Sequence, residues 1–93
     1  MKRKQVRWRR RALEDLREYH EWLATIENAK PGQTIKRIRK MAESLARLGD
    51  IGRPSLEDGV RELSVRNASY VIVYRLDGDA FEILAVYHTA QER

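Results

Sequence analysis

Tyr70-Val71-Ile72-Val73-Tyr74-Arg75-Leu76-Asp77-Gly78-Asp79-Ala80-Phe81-Glu82-Ile83-Leu84-Ala85-Val86-Tyr87-His88 is the stretch on which the fold turns. Two β-prone runs flank Asp77-Gly78, a pair that favours the tight turn of a hairpin. In residues 70–76 both faces are apolar, with Tyr70, Ile72, Tyr74 and Leu76 on one and Val71 and Val73 on the other. Strict alternation in residues 81–88 places Phe81, Ile83, Ala85 and Tyr87 opposite Leu84, Val86 and His88. Upstream, residues 60–66 alternate too, with Arg61, Leu63 and Val65 opposite Glu62, Ser64 and Arg66, and Asn67-Ala68-Ser69 supplies a turn. The expectation is a three-strand antiparallel meander over residues 60–88 that carries the function.

Ahead of the meander the periodicity is helical. Residues 49–59 are rich in turn formers (Gly49, Asp50, Gly52, Pro54, Asp58, Gly59) and read as a loop. Ile35, Ile38, Met41 or Ala42, Leu45 and Leu48 make one apolar stripe; Leu13, Leu16, Tyr19 or His20, Leu23 and Ile26 make another. Glu14 and Asp15 suit the positive end of the first helix, and the segment 28–32, with Pro31-Gly32, breaks the connection. Val6 and Trp8, alternating with Arg7 and Arg9, read as a short edge strand with its charge outward. The fold class is α+β: an N-terminal strand, an antiparallel helical hairpin and the meander, in the order βααβββ. A length of 93 residues fits a single domain over 1–93 that buries about 60–65% of its unfolded surface.

Strands apolar on both faces are normally covered on both, yet the hairpin supplies one layer. The second face is expected to be covered either by the sheet curling on itself or by a segment of a partner protein.

Composition removes several chemistries. There is no cysteine, hence no disulfide and no thiolate nucleophile or metal ligand. His20 and His88 alone specify no zinc site. Ser44, Ser55, Ser64 and Ser69 sit in no nucleophile context, and no phosphate-binding glycine motif is present, so neither cofactor nor metal is expected. No apolar run is long enough to span a membrane and no signal-type segment follows the basic start, which points to a cytoplasmic protein. The net charge of +5 comes from 19 Lys+Arg against 14 Asp+Glu. Lys2, Arg3, Lys4, Arg7, Arg9, Arg10 and Arg11 form one basic block and Lys36, Arg37, Arg39 and Lys40 a second. Such blocks serve solubility, nucleic acid or an acidic protein partner. Arg66, Arg75, Tyr87 and His88, with Arg61 and Glu62 before them, are the residue types a ribonuclease would use as acid, base and phosphate cations. A histidine at a strand end is more often a packing residue, and Trp8, Trp22 and the tyrosines are spaced for a core rather than for base stacking.

The chain resembles the ParE branch of the ParE/RelE toxin superfamily over nearly its whole length. The resemblance rests on Ala12-Leu13-Glu14-Asp15-Leu16, Gly52-Arg53-Pro54, Val60-Arg61-Glu62-Leu63-Ser64-Val65, Tyr70-Val71-Ile72-Val73-Tyr74-Arg75, Ile83-Leu84-Ala85-Val86-Tyr87-His88 and Gln91. It implies the toxin of a type II toxin–antitoxin pair, bound and neutralised by a cognate antitoxin through a C-terminal segment that is often acidic. ParE proteins poison DNA gyrase, whereas the RelE branch cleaves mRNA on the ribosome. Where RelE keeps two catalytic lysines this chain has Glu62 and Ser64, and where RelE keeps a catalytic arginine it has Val71. The sequence ends at Arg93, before the helix that carries a late tyrosine in RelE. The basic start and Pro31-Gly32 depart from the ParE pattern. The resemblance thus implies a gyrase inhibitor without sequence-specific DNA binding of its own, with Arg61, Arg66, Tyr74, Arg75 and His88 as contact or supporting residues. The alternatives are a ribosome-dependent endoribonuclease using His88 and Tyr87 with Arg66 or Arg75, and a degenerate toxin that keeps only antitoxin binding and repressor assembly.

Overall fold

The computed structural model describes residues 4–90; Lys2, Arg3 and Gln91 lie outside the described residues. The hairpin sits where Asp77-Gly78 predicts it. Strands β4 (Tyr70–Asp77) and β5 (Ala80–His88) pair antiparallel with Asp77 opposite Ala80. Gly78, first of the two loop residues, has φ +62°, a conformation open to glycine without steric cost. β3 (Arg61–Ser64) completes the meander beside β4. Asn67 turns the chain between them at φ +59°, a region asparagine tolerates.

Two strands join at the edges. β1 (Gln5–Trp8) runs parallel to β5, with Val6 opposite Phe81 and Trp8 opposite Ile83. In the segment expected to be only loop, β2 (Arg53–Pro54) pairs antiparallel with β3. Pro54 is tolerated there because an edge strand leaves one row of N–H positions unpaired. The sheet order is β1-β5-β4-β3-β2, so the element order is βααβββ with this two-residue strand added.

Helices α1 (Arg10–Leu23) and α2 (Pro31–Leu48) pack on one face of the sheet. Ala12, Leu16, Ile38, Ala42 and Leu45 meet Leu63, Val65, Tyr70, Ile72, Tyr74, Phe81, Ile83 and Val86 in one core. Each large side chain fully buried there, such as Ile72 or Phe81, contributes about 1.5–3 kcal/mol relative to exposure.

Three expectations need correcting. The buried stripe of α1 runs through Ala12 and Leu16, and Leu13 is half exposed; the sheet selects the phase, and the small Ala12 permits close approach. The first turn of α1 holds Arg10 and Arg11 and no acid, because the helix begins before the apolar stripe does. Pro31 opens α2 at its first turn rather than breaking it: the missing N–H is one that no intrahelical carbonyl would use.

A fourth correction concerns β5. Val73 pairs with Ala85 but Tyr74 pairs with Ile83, so Leu84 is an extra residue, a β-bulge. It resets the alternation. Val86 and His88, not Ala85 and Tyr87, share the helix-facing side with Phe81 and Ile83.

Candidate functional site

The face of the sheet away from the helices carries Arg53, Glu62, Ser64, Val71, Val73, Arg75, Glu82, Ala85 and Tyr87, as the strand registers require. Its coverage is mixed. Val71 is buried and Glu62 only 4% exposed, whereas Val73, Ala85 and Tyr87 are partly open. Arg53 Nη2 lies 3.3 Å from Glu62 Oε1, and Arg53 Nη1 donates to Ser64 Oγ. The Tyr87 hydroxyl donates to the same Glu62 oxygen at 3.4 Å. A carboxylate buried this deeply is tolerable because it is paired and hydrogen-bonded. Glu82 Oε1 accepts from Arg75 Nε at 2.9 Å and from Arg9 Nη2 at 3.3 Å. These bonds, that of Arg75 first, hold the Glu82 carboxyl below the usual carboxylate range.

This face continues around the sheet edge into a groove of about 870 Å³. β1 pairs with β5 only as far as Ile83, and past the bulge two backbone N–H groups are held by α1 side chains. Val86 N–H donates to Asp15 Oδ2 and His88 N–H to the Tyr19 hydroxyl, both at 2.9 Å. Covering an edge in this way blocks unwanted strand pairing. Val73, Ala85, Tyr87 and Trp22 give the groove its apolar lining, and Arg11 and Glu18 its charge.

On the helix face a second network ties the loop after α2 to the sheet. Gly52 N–H donates to the Tyr74 hydroxyl at 2.7 Å, and that hydroxyl donates to Asp50 Oδ1 at 2.6 Å. Arg61 closes the network through Asp50 Oδ2 at 3.0 Å and the Gly52 carbonyl at 2.8 Å. Burial first, then the bond to Asp50, pushes the Tyr74 hydroxyl up to about 12. The folded state therefore binds this proton more tightly than the unfolded chain. Its contribution is complete below pH about 10 and is lost as pH rises through about 12. Burial raises Tyr19 and Tyr70 as well. Tyr74→Phe is expected to cost about 1–2 kcal/mol at neutral pH. It should also shrink the loss of stability between pH 10 and 12, read by urea unfolding.

The candidate residues thus part company. Arg61 and Tyr74 are joined through Asp50 and Gly52, and Tyr74 is wholly buried. Arg75 is held by Glu82 on the second face, Tyr87 lies on that face near Glu62, and Arg66 is exposed beyond β3. His88 turns to the other side. Its ring packs edge-on against Tyr70 and Trp22, at centroid distances of 5.1 and 5.7 Å, and Nδ1 accepts from Ala90 N–H at 3.1 Å. Tyr87 pairs with Val71, but its hydroxyl reaches Glu62, which lies opposite Val73, two residues from Arg75 on β4. Tyr87 and His88 lie on opposite sides of β5, and both line the groove. The pairing of Glu62 with Arg53, and of Asp15 with the β5 edge, could not be found from sequence, because neither partner is close in the chain. Among the described residues, no group of three His, Cys, Asp or Glu could hold a metal, and no helix is long and apolar enough to cross a membrane.

The fold is shared with chains of solved toxin–antitoxin structures. A chain of the chromosomal ParDE toxin–antitoxin system from P. aeruginosa superposes with TM-score 0.85 at 23% identity, covering 91% of this chain and 95% of that one. A chain of the RelBE2 toxin–antitoxin complex from Mycobacterium tuberculosis gives 0.69 at 24%, covering 98% and 97%. In sequence the chain is 34% identical to the putative toxin Y4kP of Sinorhizobium fredii, over 99% of this chain and 95% of that protein. It is 33% identical to toxin RelE3 of Caulobacter vibrioides, over 89% and 91%. Fold and relatives define a toxin of the ParE/RelE superfamily. Residues 6–93 match the family described as "ParE toxin of type II toxin-antitoxin system, parDE", and the chain belongs to that family.

Proposed function

We propose that this toxin inhibits DNA gyrase by binding it, performs no chemistry of its own, and is held inactive in the cytoplasm by an antitoxin. The observations that support this most are the pairing of Arg75 and the residues that stand at the nuclease branch's cation positions. Tyr87 and His88 point to opposite sides of β5, and Arg75 is held by a carboxylate. A paired Glu62, Ser64 and a buried Val71 stand where the nuclease branch keeps its cations, and they give a phosphorane-like charge no counterion. The antitoxin's segment, on this reading, lies in the groove over Val73, Ala85 and Tyr87, with the whole chain acting as one toxin domain.

The test is a pair of reactions: gyrase supercoiling, and a translating ribosome with labelled mRNA. Loss of supercoiling with intact mRNA is expected. Codon-phased cuts with normal supercoiling would overturn the proposal, and inactivity in both with tight antitoxin binding would leave only repressor assembly. His88→Ala adds a prediction. Gyrase inhibition should change by less than about fivefold, as for a residue outside an interface's energetic centre. Loss of a general acid or base would cost roughly 10²–10⁴-fold.

A further inference from the structure

Three arginines from separate parts of the chain meet on the sheet face away from the helices. Arg7 of β1 lies opposite Glu82 of β5, and Glu82 lies opposite Arg75 of β4, so the three share one row across that face. Arg9, just past β1, reaches the same carboxylate. Arg75 Nε at 2.9 Å and Arg9 Nη2 at 3.3 Å both end on Glu82 Oε1, and the Glu82 side chain is only 13% exposed. Arg7 is exposed and, among the described residues, has no carboxylate within ion-pair distance. Asp77, the next residue along this side of β4, pairs with none of the three. Each guanidinium carries N–H donors in a planar fork that fits a carboxylate. Two donors of the cluster are used on Glu82, which leaves a second carboxylate room to bind.

The cluster adjoins the groove. Two residues back along β4 from Arg75 is Val73, which lines the groove with its partner Ala85, and Tyr87 follows on the same side. At strand rise the step from Val73 to Arg75 is roughly 7 Å. We propose that Arg7, Arg9 and Arg75 anchor a carboxylate side chain of the antitoxin's segment, set two residues from an apolar residue seated over Val73 and Ala85. This rests on the reading that the segment lies in the groove, and it adds what selects the segment: Arg7 and Arg9 are specificity-determining residues. A nucleic-acid backbone matches these surroundings poorly. Val73 and Ala85 give phosphates nothing to bind, and Asp15, Glu18 and Glu62 bring negative charge to both sides of them. A peptide that alternates an apolar residue with an acid satisfies both parts at once.

The test is isothermal titration of the full chain with the full antitoxin. Arg7 is the residue to change, because its loss removes no ion pair within the described chain. Arg7→Ala should weaken binding about tenfold. Arg47→Ala, on α2 across the sheet, should weaken it by less than about twofold. Replacing the antitoxin's acid at the stated spacing by its amide should cost a similar factor. In the Arg7→Ala background that replacement should cost little more, since both changes remove one contact. Thermal melting checks that each variant folds. Wild-type affinity of Arg7→Ala, while Ala85→Glu abolishes binding, would overturn the anchor and leave the groove reading standing. If neither change weakens binding, the segment lies elsewhere and both fall. Equal losses in Arg7→Ala and Arg47→Ala, full additivity in the cycle, or no acid at that spacing in the segment would each overturn the anchor. So would a DNA duplex that displaces the antitoxin from the wild-type chain but not from Arg7→Ala, which would assign the arginines to phosphate.

Discussion

Gly52→Ala is expected to lower the unfolding free energy by about 3 kcal/mol, and with it the melting temperature by roughly 12–24 °C. A Cβ at this position would lie 2.6 Å from the Tyr74 hydroxyl oxygen, 2.7 Å from Tyr74 Cε1 and 2.7 Å from the backbone oxygen of Glu62. Two of these neighbours belong to a wholly buried ring and the third to a paired strand. None can retreat like the tip of a flexible side chain. Relief requires moving the loop off β3, which breaks the bonds joining Gly52, Tyr74, Asp50 and Arg61. Gly59→Ala is the control. Gly59 has φ +77° but open space around it, so only conformational strain of about 1 kcal/mol should appear. A Gly52→Ala protein as stable as the Gly59→Ala protein would show that the loop is not seated on Tyr74 as described.

The second large effect belongs to the groove. Ala85→Glu places a carboxylate and its stem between Val73 and Tyr87, where the antitoxin's segment is expected to lie. The free toxin has room for it, so stability should shift by less than about 1 kcal/mol. In the complex the new charge would be desolvated against apolar contacts and repelled by an acidic segment. Losses at an interface centre of this kind reach about 2–4 kcal/mol, so antitoxin affinity should fall by roughly 30- to 1,000-fold. Isothermal titration of both proteins with the antitoxin reads this directly. Unchanged affinity would place the segment elsewhere.

These two sites differ in how far the sequence reveals them. The hairpin at Asp77-Gly78, both helices and the β-run 60–66 follow from periodicity and turn chemistry alone. The chemistry of the second face does not. Alternation assigned Ala85 and Tyr87 to the side of Phe81, and the bulge at Leu84 reversed them, because an extra residue in a β-prone run leaves no compositional mark. Gly52 resembles Gly49 and Gly59 in sequence, yet those two have positive φ and Gly52 is small because a tyrosine ring passes over it. Arg61 and Tyr74, read as contact or supporting residues, are bound into the frame by Asp50. That partnership depends on where the loop folds back. His88 is the residue whose role the sequence left most open. Its ring packs between Tyr70 and Trp22 at the β5 edge and lines the groove, on the other side of β5 from Arg75.

On the proposed reading the toxin acts by occupying its target, and turnover measures that most directly. With gyrase and translating ribosomes each in excess over toxin, the number of target molecules disabled per toxin molecule separates occupancy from catalysis. The prediction is loss of supercoiling that saturates at about one gyrase per toxin, with mRNA left whole. Many mRNA molecules cut per toxin, while supercoiling proceeds, would contradict it.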